Sequence, residues 1–385
     1  MRPTSRRRFI AQGASLTGLL AWGTPHAAPS TTVGDARFVF IIQRGAADGL
    51  HTLAPYGDPA YARLRGELAL PVEQTTRLDG LFALHPALAQ VAVMYAQGEA
   101  LLVHAVASPY RERSHFDGQN VLETGGNQPY QMRDGWLNRL LGLLPQHPRA
   151  IALAPTVPVA LRGDSKVLSY APSTLRAPSD DLLLRVQQLY RNDAQLDALW
   201  ATALQTRGMA SSEITRQDPA SLGTLAASFL VRDDGPRIAM LETEGWDTHS
   251  GQAGRMASQL KGLDALLGAL RTGLGDTWAR TTVLVATEFG RTAAANGTGG
   301  TDHGTGAVAL LLGGRVQGGR VLADWPGLDT PALLDGRDLR PTLGLDALIA
   351  RAAAESFGLD PERLGRQLFA QGAVAQPLRE PLLRG

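Results

Sequence analysis

Aspartate and histidine stand close together at two places whose spacing could hold a cation. The segment WDTHS puts Asp247 and His249 two residues apart, and GGTDHGTG puts Asp302 and His303 side by side. In an extended backbone, side chains at i and i+2 project to the same side, so Asp247 and His249 can reach one ion. Neighbouring side chains project to opposite sides, so Asp302 and His303 can contact two different ions. Carboxylates and imidazoles in a chain without cysteine suit zinc, manganese or a similar divalent ion.

More residues of these kinds follow other apolar segments of the chain. They are Asp48, Ser114, His115, Asp117, Glu288 and Arg291. Ligands of open α/β sheets bind outside the carboxyl ends of the strands. We therefore expect these residues to meet Asp247, His249, Asp302 and His303 at one edge of a sheet, around one or two divalent ions.

Each motif also has a simple structural interpretation. Asp247 or Thr248 could cap the helix that is predicted to follow them. TDHGTG could form a plain turn with His303 bonded to backbone, and Glu288 could form an ion pair with Arg291. Only the convergence of several segments favours a metal site over these alternatives.

The elements that must position these residues alternate between strands and helices. Short apolar runs rich in β-branched residues predict strands at 37–43, 100–107, 236–243, 281–289 and 307–314. Helical spacing predicts helices at 85–99, 134–146, 179–205 and 252–274. This alternation, with strands that are apolar throughout, is typical of a three-layer α/β/α sandwich with a mostly parallel central sheet. Residues 147–178 fit this pattern least well and are predicted to form a loop or lid insertion.

Residues 1–28 have the features of a twin-arginine export signal. SRRRFI precedes a short apolar stretch and then small residues, with Ala27 or Ala28 as the expected last residue of the leader. Its removal changes the net charge from +1 to −3, because it removes four arginines and no acids. The alternative is a basic tail that stays in the cytoplasm. We expect a periplasmic or secreted protein that uses the twin-arginine export machinery, with residues 29–385 forming a single domain.

Composition and missing motifs exclude several functions. The chain of 385 residues has no strong basic patch, so no nucleic-acid partner is expected. After the leader, no segment has the ~18 continuous apolar residues of a membrane span. The serine-hydrolase elbow, the P-loop, the HExxH helix and a dinucleotide-binding glycine motif after the first strand are all missing. His85 and His104, beside a proline and inside a predicted strand, are expected to be structural.

Several segments together resemble the domain of unknown function 1501 family, which consists mostly of exported bacterial proteins. They are RGAADGLHTLAPYGDPAYARLR, SPYRERSHFDGQ, GWLNRLL, GWDTHS, TEFGRT and GGTDHGTG followed by GGRV. The resemblance runs from about Phe38 to Phe357. This family is similar to the alkaline phosphatase superfamily. The resemblance therefore implies an alkaline-phosphatase-like fold with a two-metal site.

The resemblance also implies roles for particular residues. Asp48 corresponds to the acid that ends the first strand, and Ser114 is the candidate nucleophile with His115 beside it. The implied metal ligands are Asp48, Asp117, Asp247, His249, Glu288, Asp302 and His303. The chain departs from the superfamily pattern in two ways: Asp-x-His replaces Asp-x-x-x-His, and Phe289 stands where a histidine is expected. The sulfatase signature is absent, which excludes a sulfatase that uses formylglycine.

Two functions remain as hypotheses. The first is a metal-dependent hydrolase of phosphate or sulfate esters, in which Ser114 or an activated water attacks. Arg291 would bind the anionic oxygens of a small ester substrate. The second is a non-catalytic binding or assembly protein on a decayed hydrolase scaffold, with a cell-envelope component as its partner.

Overall fold

A computed structural model of the protein describes residues 35–145, 149–172, 178–210, 218–370 and 378–385. The predicted export signal, residues 1–28, lies outside the described residues. Among the residues described, no helix combines the length and the hydropathy that crossing a membrane requires.

The described strands form one large and one small sheet. They are β1 (Arg37–Gln43), β2 (Leu53–Ala54), β3 (Thr76–Arg77), β4 (Ala83–Leu84), β5 (Ala100–Ala107), β6 (Ala150–Ala152), β7 (Val167–Ser169), β8 (Ile238–Thr243), β9 (Thr281–Ala286), β10 (Ala307–Leu312), β11 (Arg320–Leu322) and β12 (Leu343–Gly344). The large sheet runs β11-β5-β10-β9-β1-β8-β6-β7, with β12 also pairing with β5. The small sheet runs β2-β4-β3.

The described helices vary from one turn to 23 residues. They are α1 (Gly49–Thr52), α2 (Tyr61–Arg65), α3 (Ala89–Ala96), α4 (His115–Thr124), α5 (Trp136–Leu143), α6 (Asp180–Tyr190), α7 (Ala194–Met209), α8 (Pro219–Leu230), α9 (Gln252–Leu274), α10 (Leu345–Phe357) and α11 (Pro361–Leu368). Short 3₁₀ turns lie at Gly66–Leu68, Val72–Gln74, Val159–Leu161 and Gly275–Arg280.

The large sheet is mostly parallel, as the sequence predicts. Its pairs are parallel except for those of β10, which runs antiparallel to β5 and β9. All seven residues of β1 are buried. A central strand covered on both faces has to be apolar throughout, which explains why these strands do not alternate with polar residues.

Helices cover both faces of the large sheet. Phe38, Phe40 and Ile42 of β1 pack in a core with residues of α5, α10 and α11. Val39 and Ile41 point to the opposite face and pack with residues of α3, α8 and α9. Successive side chains of a strand point to opposite faces, so a single strand contributes to both cores. The prediction of a three-layer α/β/α sandwich is confirmed.

The described part of the predicted loop or lid, residues 149–172, supplies β6 and β7. Both are parallel strands that extend the large sheet beyond β8. Ile151 is fully buried and Leu168 nearly so. This segment therefore continues the sheet, while the neighbouring residues 146–148 and 173–177 lie outside the described part of the chain.

The direction of β10 explains how distant parts of the chain meet. The strands β1, β5, β8 and β9 are parallel, so they all end at one edge of the large sheet. Because β10 is antiparallel to β9, it begins at that same edge. The residues that precede β10 therefore lie beside the residues that follow the other strands.

Three buried histidines, His51, His85 and His104, are expected to make the protein sensitive to mild acid. Burial lowers the pKa of each imidazole to about 4. The unfolded chain, whose imidazoles keep a pKa of about 6.5, then binds more protons between these two values. Their contribution to stability is complete above about pH 6.5 and is lost as the pH falls towards 4. Urea unfolding at about pH 7, 6 and 5 should show the free energy of unfolding falling with pH.

A His85→Asn variant is the matched test of this acid sensitivity. Asparagine can still accept the hydrogen bond that the Ala87 amide donates to His85 Nδ1 at 3.0 Å. The variant has one buried imidazole fewer, so its free energy of unfolding should depend less steeply on pH. A wild-type stability that stays constant over this range would contradict the expectation.

Candidate metal centre

Four side chains from three segments meet at the edge where the parallel strands end. Asp247 and His249 follow β8, His303 precedes β10, and His115 is the first residue of α4. Ligand atoms of His115, Asp247 and His303 all lie within 4.8 Å of one another. We call His115, Asp247, His249 and His303 the four-residue cluster.

The ring nitrogens of the four-residue cluster lie at contact distance. His303 Nε2 is 3.0 Å from His115 Nε2 and 3.0 Å from His249 Nε2. Asp247 Oδ1 is 2.9 Å from His249 Nε2 and 3.2 Å from His303 Nε2. Asp247 Oδ2 is 3.5 Å from His115 Nε2. The imidazoles of His115 and His249 therefore both contact His303 Nε2 and the Asp247 carboxylate.

The other ring nitrogen of each imidazole faces a hydrogen-bond acceptor. The three pairs are His115 Nδ1 with Glu288 Oε1 at 2.8 Å, His249 Nδ1 with Asp302 Oδ1 at 3.2 Å, and His303 Nδ1 with Arg113 O at 2.9 Å. Carboxylate and carbonyl oxygens accept and do not donate, so each Nδ1 carries a hydrogen. In the neutral rings, the lone pairs of all three Nε2 atoms then point into the cluster. This arrangement is typical of histidines that bind metals.

The geometry of the cluster fits a zinc ion. Tetrahedral zinc with Zn–N bonds of about 2.0–2.1 Å requires its ligand atoms to lie about 3.3–3.4 Å apart. The contacts of 2.9–3.2 Å around Asp247 Oδ1 and the two Nε2 contacts of 3.0 Å come close to this spacing. Three converging lone pairs repel one another unless a cation or a proton lies between them. Three imidazoles with one carboxylate favour zinc over magnesium, which prefers oxygen ligands.

Asp247 is held as a carboxylate by a buried arginine. Burial raises the pKa of Asp247, but the hydrogen bond and charge of Arg291 outweigh it, so the pKa lies below its usual value. Arg291 is 1% exposed and donates from Nη1 to Asp247 Oδ1 at 2.6 Å. Its remaining donors bond to Thr301. The guanidinium that was predicted to bind substrate is thus engaged within the fold, where it positions Asp247.

Glu288 lies behind His115 and orients it. Its Oε1 accepts hydrogen bonds from His115 Nδ1, from the Gly45 amide at 2.8 Å and from Gln119 Nε2 at 3.1 Å. Gln119 Oε1 in turn accepts from Arg44, which turns its amide hydrogens towards Glu288. The hydrogen bond that His115 donates to Glu288 raises the pKa of His115. Glu288, predicted as a direct ligand, therefore acts on the cluster through His115.

Two other predicted ligands also lie outside the four-residue cluster. Asp302 contacts His249 Nδ1 and the Asn296 amide, and the Asn296 hydrogen bond lowers its pKa. Asp48 is buried, caps α1, and forms an ion pair with Arg65. Its Oδ2 also accepts from Gln252 at 2.6 Å. Asp302 thus orients His249, whereas Asp48 is tied into the fold by its own partners.

Ser114 and Asp117 lie at the start of α4. Ser114 is the N-cap residue, and its side chain makes no capping hydrogen bond. Asp117 stands two residues after His115, where a helix turns its side chain away from that of His115. It interacts electrostatically with Tyr130. Ser114 therefore lies next to the cluster along the chain, and Asp117 is directed elsewhere.

Two of the three structural alternatives to a metal site do not describe these residues. The N-cap of α9 is Gly251, so neither Asp247 nor Thr248 caps this helix. Glu288 bonds to His115 and Arg291 bonds to Asp247, so Glu288 and Arg291 do not pair. The third alternative holds in part, because His303 Nδ1 bonds to the backbone carbonyl of Arg113, which leaves its Nε2 in the cluster. The convergence predicted from the sequence holds for Asp247, His249, His303 and His115.

Several residues that support the cluster were not predicted. Gln119 lies four residues after His115 on α4, and this i,i+4 spacing could have indicated it. Arg113, whose carbonyl accepts from His303, and Asp338, which binds Arg113, carry no comparable signal. Their roles depend on loops that meet only in the folded chain.

Gly45 allows the backbone to pass close to Asp247, so Gly45→Ala is expected to disturb the cluster. A Cβ at this position would lie 2.8 Å from the Asp247 amide nitrogen, and the φ angle is +115°. The substitution should cost about 2 kcal/mol of stability and weaken zinc binding, because Asp247 has to move. Urea unfolding and a zinc titration measure the two effects.

Gly66→Ala is the control for backbone strain alone. Gly66 has a φ of +50°, and an added Cβ would meet nothing within 4 Å. The Gly66→Ala variant should be less stable than the wild type but should bind zinc with the same affinity. Equal zinc affinity in the Gly45 variant and the wild type would contradict the expectation.

The protein is a candidate metalloprotein. It has an α/β/α sandwich fold, and imidazoles and a carboxylate meet at the ends of its strands. The chain belongs to the family described as Protein of unknown function (DUF1501), whose profile matches residues 85–364. This confirms the resemblance found in the sequence. No curated protein matches the chain.

Solved structures similar to this chain include an alkaline phosphatase, a periplasmic domain in complex with Zn and a phosphonate monoester hydrolase. Alkaline phosphatase from the Antarctic bacterium TAB5 has a TM-score of 0.39 and 12% identity, covering 84% of this chain and 98% of that chain. The C-terminal periplasmic domain of EcEptC from Escherichia coli, in complex with Zn, has a TM-score of 0.35 and 7% identity, covering 72% and 73%. Phosphonate monoester hydrolase of Agrobacterium radiobacter has a TM-score of 0.34 and 10% identity, covering 74% and 70%.

Proposed function

We propose that the protein is a metal-dependent hydrolase of phosphate or sulfate esters, with one zinc-like ion held by the four-residue cluster. The observation that carries the proposal is the convergence of three Nε2 atoms whose Nδ1 partners are all acceptors. Asp247 adds a charged ligand atom within 3.2 Å of two of these nitrogens. This donor set matches the ligands that zinc prefers.

One ion fits the described residues better than two. Asp48, a predicted ligand, is already paired with Arg65 and bonded to Gln252. Glu288 and Asp302 each accept a hydrogen bond from a histidine of the cluster. The carboxylates that a second ion would need therefore have other partners.

The charge of the site favours an anionic substrate. Arg291 offsets the charge of Asp247, and the imidazoles are neutral when they bind a metal, so these groups leave the charge of a divalent ion uncompensated where a substrate would meet it. Glu288 and Asp302 carry negative charge one contact further out, behind His115 and His249. The helix α4 begins at His115, and its N-terminus adds a partial positive charge beside the cluster. A phosphate or sulfate ester has the complementary charge.

Residues around the cluster have separate parts in the proposed reaction. A bound divalent ion supplies Lewis-acid stabilisation of the charge on the transferred group. Ser114, at the N-terminus of α4, or a water is the nucleophile that attacks phosphorus or sulfur. The bond to the ester oxygen breaks, and this oxygen takes up the proton that the nucleophile loses. Where Ser114 attacks, a water then hydrolyses the phosphoryl or sulfuryl serine and frees its hydroxyl. Glu288 and Asp302 keep His115 and His249 in the tautomer that leaves Nε2 free to bind.

Metal analysis and an ester panel test the proposal together. Protein folded in the cytoplasm should contain about one zinc per chain. It should hydrolyse nitrophenyl phosphates or sulfates, and chelation should remove this activity. A His85→Asn control, altered outside the cluster, should keep both properties. Bound zinc without turnover would instead support a binding or assembly protein with a cell-envelope partner, and absence of zinc would overturn the proposal.

Export through the twin-arginine route, and hence a periplasmic or secreted location, is part of the same proposal. It is supported by Arg6, Arg7 and Phe9 in the segment SRRRFI. This route carries folded proteins, which suits a protein that binds its metal in the cytoplasm.

A further inference from the structure

We propose that Asp338 and Arg113 form a clamp that positions His303 for the cation. This inference rests on the proposed metal site and assigns to it two residues far apart in the chain. His303 Nδ1 lies 2.9 Å from the carbonyl oxygen of Arg113. That carbonyl must keep its direction if the Nε2 lone pair of His303 is to point into the cluster.

The backbone of Arg113 is held in an unusual conformation. Its φ angle is +63°, in the left-handed region that non-glycine residues seldom adopt. Such a conformation is unfavourable for a residue with a side chain and persists only where surrounding contacts impose it. The strain lies at the residue whose carbonyl orients His303.

Asp338 supplies the contacts that hold Arg113 in place. Its Oδ2 accepts from Arg113 Nε at 3.0 Å and from Arg113 Nη2 at 2.8 Å. Asp338 is fully buried, so the carboxylate of this charge-assisted pair is shielded from water, while the Arg113 side chain is partly exposed. An arginine fork bound at two nitrogens fixes the direction of the side chain as well as its position.

The same carboxylate also holds the segment that carries His303. Asp338 Oδ2 accepts from the hydroxyl of Thr305 at 2.8 Å, two residues after His303. Asp338 Oδ1 accepts from Arg337 Nη1 at 2.9 Å. One buried carboxylate thus joins the Arg113 segment to the His303 segment. Asp338 is therefore a positioning residue that acts on the cation through Arg113 and His303.

The test compares Asp338→Asn with a buried aspartate elsewhere. Asp264 is also buried and accepts from the amides of Gln90 and Val91, so Asp264→Asn is a matched control. Asp338→Asn should raise the Kd for zinc up to about 10-fold, the lower end of the effect of losing a direct outer partner of a ligand, because Asp338 acts on His303 through Arg113. Asp264→Asn should lose stability but bind zinc like the wild type. Kd is measured by competition with a chromophoric chelator.

A second measurement does not depend on zinc. Nitrogen-15 NMR of histidine-labelled, metal-free protein reports which ring nitrogen of His303 carries the hydrogen. The wild type should show the Nδ1–H form, and Asp338→Asn should show a mixture of both forms. If Asp338→Asn does not fold, Arg113→Gln takes its place, since that side chain is 29% exposed.

The outcomes separate the clamp from the metal site. A folded variant of either kind with wild-type zinc affinity and an unchanged His303 tautomer would overturn the clamp. A wild type that binds no zinc would overturn the proposed function. The tautomer of His303 in the metal-free variants would still decide whether the clamp exists.

Discussion

Replacement of His303 by alanine is expected to abolish stoichiometric zinc binding, with the Kd rising at least ~100-fold. His303 Nε2 contacts both other imidazoles and Asp247 Oδ1, so its loss removes the ligand with the most partners in the cluster. Removing an outer partner of a ligand already costs about 10–100-fold, and removing the ligand should cost more. Elemental analysis and competition with a chromophoric chelator measure the effect.

The His303→Ala variant should remain folded. The His303 side chain is 25% exposed, so truncation leaves no closed cavity. His85→Asn also removes one imidazole but lies outside the cluster, and it should retain about one zinc per chain. A His303→Ala protein that holds zinc as tightly as the wild type would show that the four-residue cluster is not the binding site.

Glu288→Ala is expected to destabilise the fold by about 3–5 kcal/mol, because it leaves buried donors without an acceptor. Its carboxylate is fully buried and accepts from Gly45, His115, Gln119 and Thr287. His115 would also lose the partner that fixes its tautomer, so zinc binding should weaken. Urea unfolding of the metal-free protein measures the loss of stability apart from any effect of zinc.

Glu288→Gln separates the charge of Glu288 from its hydrogen bonds. The amide oxygen can keep the three donors of Oε1, and the amide nitrogen can donate to the Thr287 hydroxyl oxygen, which lies 2.9 Å from Oε2. Stability should therefore change little. The Kd for zinc should rise about 10–100-fold, because His115 loses an anionic partner.

Glu99 provides the matched control for both substitutions. It is 20% exposed and bonds to Arg271 and Trp278, next to the start of β5 and away from the strand ends that carry the cluster. Glu99→Ala and Glu99→Gln should leave zinc affinity unchanged. If Glu288→Gln also leaves it unchanged, Glu288 does not orient a ligand.

Several elements could be predicted almost to the residue. The strands predicted at 37–43 and 100–107 coincide with β1 and β5, and the helix predicted at 252–274 coincides with α9. These segments have strong local signals, either a short buried apolar run or a long amphipathic repeat. The helix predicted at 179–205 is instead two helices, α6 and α7, with Asp193 capping the second. A capping residue inside a helical repeat is a weaker signal than the repeat itself.

The sequence could predict which residues belong to the candidate site. It could not predict which of them form the cluster and which only contact it. Residue type and position next to a strand indicated His115, Asp247, His249 and His303. They equally indicated Glu288, which the fold puts one contact behind the cluster. A carboxylate that binds a cation and one that orients a histidine look alike in a sequence. Only the distance between side chains distinguishes them.

The close approach of two loops likewise depends partly on the sequence and partly on the fold. The segment between residues 299 and 306 is rich in glycine, which permits tight packing, and a Cβ on Gly300 would lie 2.3 Å from the carbonyl carbon of His249. The sequence indicated that such an approach was possible. It did not identify which backbone segment would lie there, because that depends on the antiparallel entry of β10.

The amino-acid sequence alone determined the sandwich class, the family and the supply of carboxylates and imidazoles at strand ends, because local hydrophobic patterns and short motifs encode them. The tertiary structure decided which of these groups form the cluster and which groups orient the cluster residues. It also decided that Asp48 and Arg291 bond to partners within the fold. Those outcomes depend on contacts between residues up to about 250 positions apart, which pairing of the strands creates and no local pattern records.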